Sequence, residues 1–319
     1  MLSFFPSRRD ASALYTDLQA ALRLSLSHIF DEVVSPDTVA TEIRKTIGGD
    51  RPLGALAFAL NECLIQAVDR SKASIDIIVA AAANTDRLVK KPDLIVAPYT
   101  QENEHPFINH LIYSDCKSPY AQLTEDEAKV VKELVRSSLE KVQLIVPEYK
   151  QEFDVFIERI VLHRDDSVIS SSSFFSFGNI YLNSCLIEAN WVSFFDKLIH
   201  EAAHHYLFAL CAFDKIIKND PGRLFESPLR EDARPIDGVF HQAFVVCRLM
   251  HAMKKVATSP RVELEFRDDA HQLFLEYRES LSEAVSTLEE HAKFTKRGKM
   301  IFNSIQRALN EYSEDRSSG

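Results

Sequence analysis

Trp191-Val192-Ser193-Phe194-Phe195-Asp196-Lys197-Leu198-Ile199-His200-Glu201-Ala202-Ala203-His204-His205-Tyr206-Leu207-Phe208-Ala209-Leu210 decides how this chain is read. The stretch has neither glycine nor proline and is apolar nearly all round, which predicts a helix buried on most sides. We place that helix over 186–213. It carries one short polar pattern, His-Glu-x-x-His. A helix turns once in about 3.6 residues, so His200 and His204 project from one face, one turn apart. Two imidazoles at that spacing can bind one metal ion through ring nitrogens. Glu201 lies one residue along, where it can act as a base toward metal-bound water or orient a ligand. A match of this length arises by chance in roughly a few per cent of chains this size, so the flanks decide its weight. Two imidazoles and a carboxylate inside an apolar helix are costly unless something pairs with them, and a metal ion does. His205 sits roughly 100° further round and reads as a packed or supporting histidine.

A third ligand must come from elsewhere. The downstream candidates are Glu226, Glu231, Asp232, Asp237, His241 and His251. We select His241, because it follows Gly238 at the start of a second predicted helix, 239–256, that can pack against the first. His251 lies on another face and reads as a structural or surface histidine. His105 and His110 are expected to be solvated. His28, His163, His271 and His291 have no companions in the sequence.

The remaining segments supply the scaffold. Ser12 stands as the cap of a helix over 13–34, where Leu14, Leu18, Leu22, Leu26 and Ile29 recur at helical spacing. A second helix covers 53–68, and the apolar run 75–83 is a strand or a helix. The stretch 84–122, with Pro92, Pro98, Pro106 and Pro119, reads as loop-rich. Thr124-Glu125-Asp126-Glu127 is a capping box, and the helix it opens should stop at Pro147. Strands are expected at 157–163 and 179–183, with the serine and phenylalanine run 170–178 as an ordered strand or loop beside the site. A polar loop over 215–237 and a long helix over 262–292 complete the pattern. The fold class is α+β, predominantly helical, with a small sheet beside the metal-binding helix. We expect a mostly helical part over 1–150, a catalytic part over 151–312 and a disordered tail over 313–319.

Composition narrows the function classes. The chain has 319 residues, 46% of them hydrophobic, enough to bury a core. A net charge of -10 repels phosphate backbones and argues against nucleic acid as a partner. No apolar run is long enough to cross a bilayer, and the first residues do not read as a signal peptide. The five cysteines form no Cys-x-x-Cys pair, which argues against a disulfide framework and for buried free thiols in a reducing cytoplasm. Nothing in the pattern speaks to oligomeric state.

The segment Ser227-Pro228-Leu229-Arg230-Glu231-Asp232-Ala233-Arg234-Pro235-Ile236-Asp237-Gly238-Val239-Phe240-His241, placed after His-Glu-x-x-His, resembles the HExxH-containing peptide-modification proteins. Phe177-Gly178-Asn179-Ile180-Tyr181-Leu182-Asn183 is similar to the strand that precedes their helix. These proteins are understood as iron(II)- and 2-oxoglutarate-dependent peptide β-hydroxylases found near ribosomally made, modified peptides. The resemblance runs from Phe177 to Met250. The family pattern often has Trp where this chain has Leu229 and Pro where it has Ala233, a departure that touches the loop's substrate contacts. The resemblance implies His200, His204 and His241 as iron ligands, with the other positions left for 2-oxoglutarate and dioxygen. A carboxylate as third ligand stays open. Arg230 or Arg234 would hold the far carboxylate of 2-oxoglutarate by a bidentate fork, unless each pairs with Glu231, Asp232 or Asp237. Glu201 would orient a ligand or the co-substrate. The implied partner is a precursor peptide, which could add as a strand along 174–181.

Two rivals use the same helix. One is a zinc metallopeptidase with Glu201 as general base, although His204 is not followed by His-x-x-Gly-x-x-His. The other is a non-catalytic peptide-binding protein that keeps a vestigial metal site.

Overall fold

The capping box at Thr124 shows how local chemistry sets this fold. The Thr124 amide donates to Glu127 Oε2 at 2.8 Å, and the Glu127 amide donates to Thr124 Oγ1 at 3.3 Å. The helix it opens, Glu125–Ile145, ends where expected. Pro147 then starts a further helix, Pro147–Phe156, because proline is tolerated in a first turn where its missing amide hydrogen has no partner to lose. At the other end of the chain's first helix, Ser7 rather than Ser12 is the cap. Its hydroxyl accepts from the Asp10 amide at 3.3 Å, and the helix covers Arg8–Val33.

The structure is a computed structural model that describes residues 3–68, 72–100, 104–106, 108, 120–166, 168–185, 187–227 and 230–314; of residues 72, 73, 226, 227, 230–232, 313 and 314 it describes the backbone alone. The fold is predominantly helical α+β, 66% helical, with ten helices and a small sheet among the described residues. In chain order the helices are α1 (Arg8–Val33), α2 (Thr38–Ile47), α3 (Ala55–Val68), α4 (Lys72–Ala81), α5 (Glu125–Ile145), α6 (Pro147–Phe156), α7 (Trp191–Cys211), α8 (Ile236–Ala257), α9 (Leu264–His291) and α10 (Lys296–Glu314). The ambiguous run 75–83 is therefore helical as far as Ala81. No helix among the described residues is long and apolar enough to cross a membrane.

Contacts divide the chain into two compact units, each assembled from separated segments. One holds Met1–Ala11, Val135–Phe153 and Asn190–Gly319; the other holds Ser12–Leu134 and Asp154–Ala189. The expected division at 150 follows chain order instead, and the contacts cut inside α1, α5 and α6. Of the expected tail, residues 313 and 314 belong to α10, and 315–319 lie outside the described residues.

The second unit contains a four-stranded sheet in the order β1-β2-β4-β3, formed by β1 (Ile95–Pro98), β2 (Arg159–His163), β3 (Ser170–Ser171) and β4 (Asn179–Asn183). β1, β2 and β4 are parallel, and β3 runs antiparallel to β4. The proline-rich stretch thus contributes a strand, and Pro98 is accommodated because β1 is at the sheet's edge. Gly178, at φ +105°, makes the turn into β4, and a Cβ there would lie 3.3 Å from the Phe156 carbonyl oxygen. Two expectations about this region change. β4 pairs with β2 along its length and with β3 at Tyr181 and Leu182, and its five residues are buried, so it offers no open strand to a peptide. His105 is buried at 5% exposure, with Nε2 lying 3.0 Å from the Ala81 carbonyl oxygen, so it is not solvated; His110 lies outside the described residues.

The first unit contains α7 to α10 and a hairpin, β5 (Leu224–Ser227) with β6 (Arg230–Pro235), inside the stretch expected to be a polar loop. Its core is tied by a buried ion pair. Arg248 on α8 is fully buried and donates to both carboxylate oxygens of Glu152 on α6, at 3.0 Å through one nitrogen, and to the Phe4 carbonyl at 2.8 Å. The guanidinium lies 4.4 Å from the Tyr206 ring centre and 4.9 Å from that of Phe244. Of the cysteines, Cys63 and Cys247 are buried free thiols, but Cys185 and Cys211 are exposed, and Cys116 lies outside the described residues.

Removing one partner of a buried pair strands the other charge in the core. Glu152→Ala should therefore lower unfolding stability by about 3–5 kcal/mol in urea titration. Pairing it with Arg248→Met should recover most of that loss.

Candidate metal centre

The His-Glu-x-x-His helix, α7, is buried on all sides but one. Along Trp191–Leu210 the half-exposed positions are Ser193, Lys197, His200, His204 and Phe208, and every other residue is buried. Their spacing of four, three, four and four residues draws a single stripe along the helix. The two histidines of the motif lie on that open stripe, not in the packed interior that the apolar flanks suggested. Glu201 is 2% exposed and so belongs to the packed side. His205 is fully buried, with Nδ1 lying 2.9 Å from the Glu201 carbonyl oxygen, which fits a packed histidine.

Asn190 caps α7 by accepting from the Ser193 amide at 2.9 Å. One turn before His200, Asp196 is 3% exposed and doubly engaged. Tyr277 donates to its Oδ1 at 2.7 Å and Lys197 to its Oδ2 at 2.8 Å, so the cation on the stripe is already neutralised.

His241 comes from the second turn of α8. His204 Nδ1 and His241 Nε2 are 2.7 Å apart, and His204 Nε2 and His200 Nε2 are 3.0 Å apart. Both pairs of ring centres are separated by 4.8 Å. Phe208, one turn after His204, packs on both rings, 6.0 Å from His204 and 5.7 Å from His241. The structure thus brings His200, His204 and His241 together, with His204 in the middle. Sequence reasoning missed Phe208, although its i, i+4 spacing from His204 placed it on the same stripe.

Burial, reinforced by the nearby His200 and the Arg234 cation, pushes the His241 pKa down to about 4, while Asp237 pulls it up. A neutral imidazole has the free lone pair that a metal needs. Donor type, number and proximity fit a divalent ion such as iron(II) or zinc. The rings do not yet converge, because His204 turns one nitrogen to each neighbour. Correspondingly, no group of three or more His, Cys, Asp or Glu among the described residues is arranged to hold a metal ion as it stands.

Arg234 is the penultimate residue of β6 and lies across the first turn of α8. A Cβ on Gly238 would sit 3.2 Å from Arg234 Cδ, so the missing side chain at 238 makes room for it. Its charge is felt at His241, and its strand partner is Phe225. Arg230 opens the same strand, but its side chain, like those of Glu226, Glu231 and Asp232, lies outside the described residues. Asp237 is exposed and close enough to His241 to act on its charge. His251 is set apart: it is 6% exposed, its Nδ1 lies 2.5 Å from the Tyr312 hydroxyl, and Phe5 meets its ring edge-on, a structural role.

Comparison with protein-family models and with curated proteins found no match to this chain.

The charges around His241 set a signed expectation. In the metal-free protein, NMR titration should place the His241 imidazole at about 4. Arg234→Ala removes a cation and should raise that value, whereas Asp237→Asn removes an anion and should lower it further.

Proposed function

We propose that this chain is a cytoplasmic iron(II)- and 2-oxoglutarate-dependent oxygenase that hydroxylates the β-carbon of a residue in a ribosomally made precursor peptide. One observation carries the reading: three imidazoles meet on a face that is open along a single stripe, and the charge of Arg234 acts on the third of them. His200, His204 and His241 would hold the iron. Bound there, iron supplies the activation of dioxygen that couples oxidation of 2-oxoglutarate to hydroxylation.

The protein's own residues define the rest. Arg234 offers a planar fork that matches a carboxylate, and so serves as the anchor for the far end of 2-oxoglutarate. Arg230 on the same strand is the alternative anchor. Glu201, closed off at 2% exposure, suits a positioning role better than that of a base exchanging protons with site water. That burial favours the oxygenase over the zinc peptidase, in which Glu201 would have to reach a metal-bound water. Phe208 covers the two histidine rings and keeps water from one side of the site. The half-open stripe leaves room for a peptide side chain to approach.

The test is succinate formation by anaerobically purified protein supplied with iron(II), 2-oxoglutarate and then oxygen. Slow turnover without any peptide is expected, abolished in His200→Ala. In Arg234→Ala the concentration of 2-oxoglutarate needed for half-maximal rate should rise about tenfold or more, as loss of a bidentate charge-assisted contact implies. Absence of succinate, with zinc held instead, would contradict the reading.

A further inference from the structure

The outward face of α5 is unusual for a protein this acidic. Arg136, Leu139, Glu140, Gln143 and Leu144 recur at spacings of three and four residues and so lie along one side of the helix. With Pro147 and Lys150 of α6 and Arg261 from the connection after α8, they line an open groove of about 790 Å³. These residues belong to the first unit. The floor is apolar, formed by Leu139, Leu144 and Pro147, and Leu144 remains 44% exposed. The rim is cationic, with Arg136, Lys150 and Arg261 against the single carboxylate of Glu140.

We propose that this groove docks an acidic peptide segment that carries a large apolar side chain. Charge complementarity supports that occupant. The chain as a whole carries -10, so an acidic peptide is repelled by most of the molecule and drawn to this groove, whose lining is net positive. The Arg136–Glu140 pair at 2.9 Å has both side chains 64% exposed, and such a pair holds its partners weakly. A ligand carboxylate can therefore recruit Arg136. Arg261 also reaches toward the helix end, donating to the Leu144 carbonyl at 3.4 Å, which holds its guanidinium beside the exposed Leu144 side chain. The apolar floor selects a peptide over a polyphosphate, whose charges would leave that surface without a partner. Docking here stands independently of the chemistry at the histidines.

The test is fluorescence anisotropy with the full-length protein and two labelled probes, Glu-Asp-Glu-Leu-Phe-Glu-Asp-Glu and the same peptide with Ser-Ser in place of Leu-Phe. The first probe should bind, and binding should weaken steeply as salt rises. The Ser-Ser probe should bind at least tenfold more weakly. The doubly reversed variant Arg136→Glu/Arg261→Glu should lose at least tenfold for the first probe, and its far-UV circular dichroism should match that of the unaltered protein, since both side chains are on the surface. His200→Ala should bind as the unaltered protein does, which separates this groove from the metal centre. No binding of the first probe, equal affinity for both probes, or undiminished binding by the double variant would each overturn the proposal.

Discussion

The Arg248–Glu152 pair is the constraint on which the first unit depends. It joins α8 to α6 and to the Phe4 carbonyl, and its guanidinium is sandwiched against Tyr206 of α7 and Phe244 of α8. Phe244 and Tyr206 stack at 5.9 Å, so the two helices that carry the histidines are locked by one aromatic and cationic assembly. His241 and Arg248 are seven residues apart on α8 and therefore share a face, two turns from one another. The position of His241 against His204 follows from how that assembly seats α8 on α7. A fully buried charge pair adds little net stability but penalises any packing that separates it, which makes it an effective selector of one helix register.

Much of this was legible in the sequence because the signals were local. The Thr124 capping box, the strand 179–183 and the extents of α3 and α9 follow from short-range pattern, and so does the predominantly helical α+β class. The signals that misled were those where local pattern has two solutions. Pro147 both ends one helix and starts the next. Ser7 and Ser12 are both acceptable caps, and the structure uses the earlier one. The prolines at 92–119 suggested loop alone, yet Ile95–Pro98 finds a parallel partner in β2 about sixty residues away, a pairing no local pattern announces. The split of the chain into interleaved units was invisible for the same reason, since it depends on contacts between distant segments.

At the histidines, the spacing of His200 and His204 is a property of any helix, whereas the arrival of His241 is a property of tertiary packing. The apolar flanks of α7 predicted burial all round, but the histidine stripe stays half open because no described element covers that side completely. This changes the physical argument for a metal. The imidazoles are held near one another rather than walled off, and what favours a metal is the clustering of three ring-nitrogen donors, with the charge of Arg234 discouraging protonation of His241. Arg234 disfavours the imidazolium form of His241, and in the proposed reading its fork would also hold an anionic co-substrate.

We propose that His200, His204 and His241 bind one iron(II) ion together. X-ray absorption on anaerobically loaded protein addresses it directly, through the outer-shell scattering that imidazole rings produce. One iron per chain is expected, with scattering from three imidazoles that falls to two in His241→Ala. Iron bound equally well and with unchanged scattering in that variant, or no iron bound at all, would contradict it.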